Sequence, residues 1–352
     1  MGNGRVFTHA VPIVVFLVSL SATGFGTDLA LVRPRAGLFG VEPPHRSIYS
    51  VIEDRDGFLW IGTLDGLGRY DGYEMLVFRH DPDDPATLSN NAIHVLLEDR
   101  RGVLWVGTED GLDSLDRRTL RFTRHPVFEL DHDGGLIITC GHEDREGRLW
   151  FGTNHGLLLH RPDRGGFEAF KPDPDDPSSL EHTAVIGIEE DRNGSLWMAT
   201  SSVDAQTVHR LDPKRMVFDR VAVTGSDRWS FAFLIDAQNR GWLHPAGPVA
   251  LTTGGVDPEE WIDAGLCTTT RVMLETPDGM LWIGCDDGLF EVDPSNKTVR
   301  RQLLVEGDEA YLENYVRALG TGPSGTLWVG TQGGLFRLDP NAKLFEHHTH
   351  RP

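Results

Sequence analysis

The residues best suited to hold a ligand are arginines and aromatic residues at recurrent positions of the chain. Arginines are unexpected there, because 33 Lys and Arg against 53 Asp and Glu give a formal charge of −20. The planar fork of arginine suits carboxylate or sulfate groups, and aromatic rings can stack on sugar rings. The candidate ligand-binding residues are Arg46, Asn91, Arg228, Trp229, Arg271, Tyr315, Arg317 and His155.

A second explanation of these arginines is open at this point. They could pair with the acidic turns of the chain and hold neighbouring structural units together. The two explanations predict different surroundings for Arg271 and Arg317, and a structure can separate them.

Catalytic and metal-binding patterns are weak by comparison. A serine embedded in a strained nucleophile turn is absent, and acidic residues are too numerous to single out a glycosidase pair. The linkers around 81–85 and 173–177 offer oxygen ligands, but they lack the glycine-centred spacing of a calcium loop, and proline stiffens them. We therefore expect no catalytic residue, no metal site and no cofactor.

The elements that position the candidates follow from a repeat marked by tryptophan. Successive marks are 45, 45, 47, 45, 40 and 46 residues apart. The text around them recurs as LWIGT, LWVGT, LWFGT, LWMAT or LWIGC, and only the fifth copy is degenerate. The marks are Trp60, Trp105, Trp150, Trp197, Trp242, Trp282 and Trp328.

A period of 40 to 50 residues built from strands is typical of a β-propeller, with one four-stranded blade in each period. Within the second copy, 92–99, 103–108, 112–116 and 120–125 read as four strands joined by tight turns. The sequence therefore predicts an all-β fold: a single seven-bladed β-propeller over residues 37–350, with four antiparallel strands per blade. Closure is expected from pairing of 38–40 with the edge of the last blade.

Two residues of each period are predicted to shape its first turn. Glycine stands three residues before the tryptophan in six copies, and Asn239 replaces it in the fifth; both residue types accept positive φ. Aspartate stands six residues before the tryptophan in the first five copies, where it can cap the amides of the turn. The tryptophan, and the leucine after the second turn, are expected to pack between blades.

The N-terminal segment 1–26 reads as a signal peptide. A weakly basic start precedes the apolar run 10–20, and small residues follow it. The run is too short to span a bilayer. The predicted location is therefore the periplasm or the outside of a bacterial cell. A surface of such negative charge excludes nucleic acid as a partner.

The three cysteines fit neither a disulfide scaffold nor a zinc site, because they are widely spaced and form no CxxC pair. In a hairpin centred on 277–279, Cys285 lies opposite Arg271, which leaves Cys267 four residues out of reach. We therefore expect Cys140, Cys267 and Cys285 to be buried free thiols.

The tracts SIYSVIEDRDGFLWIGTLDGLGRYDG (47–72) and NNAIHVLLEDRRGVLWVGTEDGL (90–112) resemble the two-component-regulator propeller repeat. So do the linkers HDPDDPATLSNN (80–91) and KPDPDDPSSLEHT (171–183). This repeat occurs in the periplasmic sensor regions of bacterial hybrid histidine kinases. The resemblance implies a non-enzymatic, ligand-sensing propeller that binds a small molecule or oligosaccharide at its channel mouth. Signalling would pass through a separate or lost kinase, with a membrane-bound partner, since this chain shows no kinase motif.

Two other functions are compatible with the same scaffold. Propeller lyases of the streptogramin-lyase type share a similar repeat and use a metal with a histidine, for which only His94 and His155 lie near the corresponding region. A protein-interaction platform is the third reading, because propellers offer broad faces to partners and the fold does not fix the task. The degenerate stretch 226–261 is the natural place for such contact.

Overall fold

The computed structural model describes residues 37–38, 42–127, 130, 135–202, 205–225, 229–230, 232–243, 248–252, 255–258, 269–305, 311–323 and 325–338. Their strands form seven sheets, which we number 1 to 7 in the order of their tryptophans. The predicted signal peptide lies outside the described residues, as do the last residues of the predicted propeller range. None of the described helices is long and apolar enough to cross a membrane.

Within each sheet, consecutive strands pair with one another. Sheet 1 consists of Ile48–Glu53, Leu59–Thr63, Gly66–Tyr70 and Met75–Phe78. Sheet 2 consists of Ile93–Glu98, Leu104–Thr108, Gly111–Asp116 and Arg121–His125. Sheet 3 consists of Ile138–Glu143, Leu149–Thr153, Gly156–Arg161 and Gly166–Phe170. Sheet 4 consists of Ala184–Glu190, Leu196–Ser201, Ala205–Asp212 and Val217–Gly225.

The remaining sheets are less uniform. Sheet 5 consists of Phe233–Ile235, Arg240–Leu243, Pro248–Thr252 and Gly255–Pro258. Sheet 6 consists of Thr269–Glu275, Leu281–Cys285, Gly288–Asp293 and Thr298–Gln302, joined by Trp229–Ser230. Sheet 7 consists of Val316–Thr321, Leu327–Thr331 and Leu335–Leu338, joined by Gly37–Leu38. The described helices are a 3₁₀ turn at Pro162–Arg164 and an α-helical turn at Tyr311–Asn314.

The prediction of an all-β propeller with four-stranded antiparallel blades is confirmed in its overall class. Six sheets have the predicted four antiparallel strands, but sheet 6 has five, so the prediction of seven four-stranded blades is wrong for that sheet. The extra strand, Trp229–Ser230, runs parallel to the first strand of sheet 6, with Trp229 opposite Thr269. It comes from the segment before sheet 5, where the repeat text is degenerate, so the pattern gave no signal for it.

The first strands of neighbouring sheets contact one another in an unbroken ring, from sheet 1 through sheet 7 and back to sheet 1. They are therefore the innermost strands. At the outer side of sheet 7, Leu38 pairs with Phe336 and Gly37 with Arg337. Pairing of the N-terminal segment with the last sheet is as predicted at Leu38, and it covers an edge that would otherwise be unpaired.

The predicted turn geometry is confirmed. Gly57 has a φ of 84° and Gly102 the same value, and Asn239, the exception in the sequence, has a φ of 68°. In sheet 2, Asp99 Oδ1 accepts hydrogen bonds from the amides of Arg101 and Val103, both at 2.9 Å. Its other oxygen, Oδ2, accepts the indole N–H of Trp105 at 3.1 Å. The aspartate thus caps the turn as expected and also satisfies the buried tryptophan, which the sequence analysis did not foresee.

The same aspartate–indole bond occurs in sheets 1, 3, 4 and 5, at 2.7 to 2.9 Å. Sheet 6 has Thr276 in place of the aspartate, and Trp282 Nε1 is buried without a hydrogen-bond partner. In sheet 7, Trp328 Nε1 donates instead to Glu53 of sheet 1, at 3.4 Å.

Packing between sheets depends on the tryptophan and on the glycine two residues after it. Trp105 and Leu112 of sheet 2 share a buried cluster with Phe151 of sheet 3, as predicted. A Cβ atom at Gly107 would lie 2.7 Å from Cβ of Ile138, the first residue of the next sheet. Glycine is therefore required where the next first strand crosses close to the Trp strand.

Arginines also tie sheet to sheet at the first turns. Arg55 donates to the carbonyls of Asp99 (2.6 Å) and Arg100 (3.2 Å), and its Nε pairs with Glu98 Oε1 at 2.6 Å. Arg145 makes the same contacts to sheet 4, at Asp191 O, Arg192 O and Glu190. Arg55 and Arg145 therefore hold neighbouring sheets together, which is the second explanation given above for the arginines of this chain.

The cysteine prediction is wrong for one residue. Cys285 is disulfide-bonded, whereas Cys140 is free; Cys267 lies outside the described residues. The prediction assumed that the chain before Arg271 continues as an extended strand, but the first strand of sheet 6 begins at Thr269. A β-bulge also places Thr270, not Arg271, opposite Cys285.

Candidate functional site

A β-bulge near the start of the first strand is the element that positions the candidate site. In sheet 1, Ile48 pairs with Thr63 and Ser50 with Gly62, which leaves Tyr49 without a partner in the ladder. A bulge re-aims the side chain of the extra residue. The same register shift occurs in five further sheets. The bulge residues are Tyr49, His94, Thr139, Ile186, Arg271 and Arg317.

We call these six residues the bulge ring. They belong to the innermost strands, and three of them bond to the turn between strands two and three of their own sheet. His94 bonds to Glu109, Arg271 to Asp286 and Arg317 to Gln332. The bulge ring therefore lies at the end of the channel where these turns lie. The corresponding residue of sheet 5, Phe231, lies outside the described residues.

Arg317 makes cation–π contacts with two tyrosine rings. Its guanidinium carbon is 4.5 Å from the ring centre of Tyr49 and 4.9 Å from that of Tyr315. The side-chain carbonyl of Gln332 accepts from its Nε at 3.2 Å and from Nη2 at 2.9 Å. Cation–π contacts and a neutral amide thus fix the plane of this guanidinium.

Arg271 has a different environment, because it is neutralised by a carboxylate. Its Nε and Nη2 donate to the two oxygens of Asp286 at 2.6 and 3.2 Å. Its guanidinium carbon lies 5.2 Å from the ring centre of Tyr315. Tyr315 is buried, which raises the pKa of its hydroxyl. Arg271 and Arg317 therefore share one tyrosine between sheets 6 and 7.

His94 continues the cluster into sheet 2. Its ring meets that of Tyr49 edge to face, with centres 5.1 Å apart. Its Nε2 lies 3.2 Å from Glu109 Oε1. Burial lowers the pKa of His94, and the charge of Arg317 acts in the same direction, while Glu109 opposes both. His94 is thus neutral near pH 7 and adds a polarisable ring rather than a second cation.

These contacts form one continuous chain of side chains across four sheets. The order is Asp286, Arg271, Tyr315, Arg317, Tyr49, His94 and Glu109. The other described part of the bulge ring carries no charge and no aromatic ring: Ile186 is a hydrocarbon, and Thr139 Oγ1 donates to Val185 O at 2.5 Å. One side of the channel mouth is therefore cationic and aromatic, and the other is not.

The structure brings together three of the predicted site residues: Arg271, Tyr315 and Arg317. Asn91 instead anchors a linker, since its Oδ1 accepts from His80 N at 2.7 Å. His155 lies in the second turn of sheet 3, with its amide donating to Thr153 Oγ1. Arg46 is exposed before the first strand of sheet 1.

Two further predicted residues cannot be placed in the site. Arg228 lies outside the described residues. Trp229 is described only through its backbone, which pairs with Thr269. Tyr49, Glu109 and Asp286 also belong to the site and are not among the predicted residues. Tyr49 could have been found, because it stands at the same distance from its tryptophan as Arg271 and Arg317 do.

Two buried ionisable groups lie further along the first strands, opposite the tryptophans. Burial raises the pKa of Glu189 to about 8, and the carboxylate of Glu275 adds to this effect. Burial lowers the pKa of His142 to about 4, and its Nε2 is buried without a hydrogen bond. Both groups are held in their neutral forms at neutral pH.

A separate cavity of about 340 Å³ lies at sheet 2. Ser89, Asp110 and Arg124 provide its polar atoms, and Leu112 and Val127 are among its apolar lining residues. Below it, Asp113 Oδ2 accepts from Ser89 Oγ at 2.8 Å. Across the described ranges, no group of three or more His, Cys, Asp or Glu could hold a metal ion.

Comparison with known proteins confirms the resemblance seen in the repeats. The two component regulator propeller family matches residues 42–65 and 87–110, which lie in sheets 1 and 2. A 43-residue segment is 37% identical to histidine kinase P4 of Formosa agariphila. That segment is 12% of this chain and 3% of the kinase.

Solved structures share the fold at low sequence identity. The extracellular domain of a protein described as a hybrid two component system, from B. thetaiotaomicron, superposes with a TM-score of 0.65 at 19% identity. The match covers 88% of this chain and 41% of that one, so this chain spans about two-fifths of its length. A streptogramin B lyase gives 0.64 at 14% identity, covering 86% and 97%. PorZ of the type-IX secretion system of Porphyromonas gingivalis gives 0.62 at 14%, covering 85% and 47%.

Proposed function

We propose that this chain is an exported, non-enzymatic sensor propeller that binds an oligosaccharide at the mouth of its channel. The observation that carries the proposal is the continuous chain of arginine, tyrosine and histidine side chains at the bulge ring. Sugar-binding sites use aromatic faces for the ring and planar hydrogen-bonding groups for the hydroxyls and charged substituents. The bulge ring supplies both in one place.

The family match supports a sensor rather than an isolated binding protein. The regulator repeats of sheets 1 and 2 hold Tyr49 and His94, two members of the cluster. The signal would pass to a membrane-bound kinase partner, and the site of action would be the periplasm or the cell exterior.

The lyase alternative draws support from the fold alone, since the streptogramin B lyase is 14% identical. Of the histidines proposed for it, His94 is tied to Glu109 and to the ring of Tyr49. Burial lowers the pKa of His94, so the imidazole is a weak base. Its Nε2 is also already paired with Glu109. The geometry therefore favours binding over catalysis.

The proposal is tested by thermal unfolding of the chain from Thr27 onward, with neutral and anionic oligosaccharides screened side by side. A ligand at about 100 times its dissociation constant should stabilise the protein by about 2.7 kcal/mol. Charge reversal of Arg271 and Arg317 together should abolish that shift. Arg301, an exposed arginine of sheet 6 paired with Asp287, provides the control substitution R301E. Unchanged binding of every stabilising sugar by the double variant would refute a site at the bulge ring.

A further inference from the structure

We propose that Arg317 is the anion-recognition residue of the bulge ring, and that the ligand is a sugar carrying a carboxylate or sulfate group. This inference rests on the proposed function and narrows it to one substrate class. Arg271, although it stands at the same bulge position, is on this proposal a positioning residue.

The two arginines differ in how many of their N–H donors have an acceptor. A guanidinium has five N–H donors. At Arg317 two of them are used by Gln332, and within the described part of the chain the other three have no acceptor. They include the parallel N–H groups of the Nη1–Nη2 edge, the edge that binds a carboxylate in a bidentate way.

The two arginines also differ in whether a carboxylate neutralises their charge. Asp286 neutralises Arg271 through two hydrogen bonds. Arg317 has no carboxylate within ion-pairing distance among the described residues, and its amide partner Gln332 carries no charge. Elsewhere in the chain, partly buried arginines such as Arg148 and Arg240 are paired with an aspartate at 2.6 Å. A partly desolvated charge without a counter-ion favours an incoming anion.

The two tyrosines make this free edge a preformed binding group. The ring centres of Tyr49 and Tyr315 lie 4.5 and 4.9 Å from the guanidinium carbon, and Gln332 holds its Nε side, so the group is positioned before any ligand arrives. Fixing a group in its bound geometry lowers the entropic cost of binding. A neutral hydroxyl would use the same donors but would leave the charge uncompensated.

The test uses D-glucuronate and D-glucose as matched probes, which differ in a carboxylate, together with inorganic sulfate. Binding is followed by isothermal titration and by the Nε–Hε resonance of Arg317 in ¹⁵N spectra of the wild-type chain. We expect glucuronate to shift this resonance in a saturable way and glucose to leave it unchanged. R317Q should weaken glucuronate binding by about tenfold or more, the loss expected for hydrogen bonds to a charged group.

R337Q is the matched control, because Arg337 lies in the same sheet, stacks on Trp328 and is exposed away from the bulge ring. It should change the affinity for glucuronate by less than about twofold. If R317Q unfolds, R317K and the wild-type resonance still test the inference, since lysine keeps the charge but loses the fork.

The inference is overturned if glucuronate and glucose bind alike, or if R317Q and R317K bind glucuronate as the wild type does. Neutral oligosaccharides that stabilise the wild type and R317Q equally would refute the anion site and leave the sensor proposal standing. If sulfate shifts the Arg317 resonance while no sugar of either class binds, Arg317 binds anions, but a sugar ligand and the sensor proposal are refuted.

Discussion

Replacing Thr276 by aspartate should stabilise the protein, because it would supply the acceptor that Trp282 lacks. In five sheets an aspartate at this position accepts two turn amides and the tryptophan indole N–H, as Asp191 does for Asn193, Ser195 and Trp197. In sheet 6 the hydroxyl of Thr276 donates within the turn, and Trp282 Nε1 is buried and unpaired.

The size of the effect follows from that unpaired group. Leaving a buried donor without a partner costs about 1–3 kcal/mol. Introducing a buried carboxylate opposes part of the gain. The precedent is Asp191, which is 3% exposed and whose side-chain carboxylate forms no ion pair with an arginine among the described residues. We therefore expect T276D to raise the free energy of unfolding by about 1–2 kcal/mol.

A double-mutant cycle with W282F isolates the indole bond, because phenylalanine removes the N–H. W282F alone should be close to neutral apart from its lost volume, since it also removes an unpaired donor. The gain from T276D should fall by about 1 kcal/mol in the W282F background. Urea unfolding at pH 7 measures all four proteins, and D99T with W105F is the reverse cycle in sheet 2. A destabilising T276D, or a zero coupling energy in both cycles, would refute the assigned role of the aspartate.

Two further predictions concern a glycine and a buried carboxyl. G107A should lower the free energy of unfolding by about 2 kcal/mol or more, because its Cβ would lie 2.7 Å from Cβ of Ile138. G57N is the control: Gly57 has a φ of 84° and open space around it, so this substitution should cost less than about 1 kcal/mol in urea unfolding. Equal losses of stability in the two variants would contradict the packing argument. For Asp113, burial raises the pKa to about 6, so its contribution to stability is fully present below about pH 4 and is lost as the pH rises to about 6. Between pH 4 and pH 8 the wild type should lose about 2 kcal/mol relative to D113N, and parallel stability curves from urea unfolding over this range would show that the carboxyl titrates normally.

The repeat text predicted more of the fold than of the site. The first four copies carry the tryptophan, the turn glycine and the capping aspartate in one local stretch, so period, turn and strand pairing follow there from nearby residues. The prediction weakened where the text weakens: Trp229–Ser230 joins sheet 6 in parallel, and Cys285 is disulfide-bonded. The first departure comes from the segment before sheet 5, in which no regular repeat constrains the chain.

The sequence by itself determined the propeller class, the positions of the turns in the regular copies of the repeat and the presence of arginines at one recurrent position. These properties depend on local patterns, namely alternation, turn residues and the fixed spacing to a tryptophan. Only the tertiary structure decided what each arginine does. Asp286 neutralises Arg271, whereas Tyr49, from a sheet nearly the whole chain away, stacks on Arg317. Closing the ring brings the first and last sheets together, and that contact between distant segments has no signature in either segment alone.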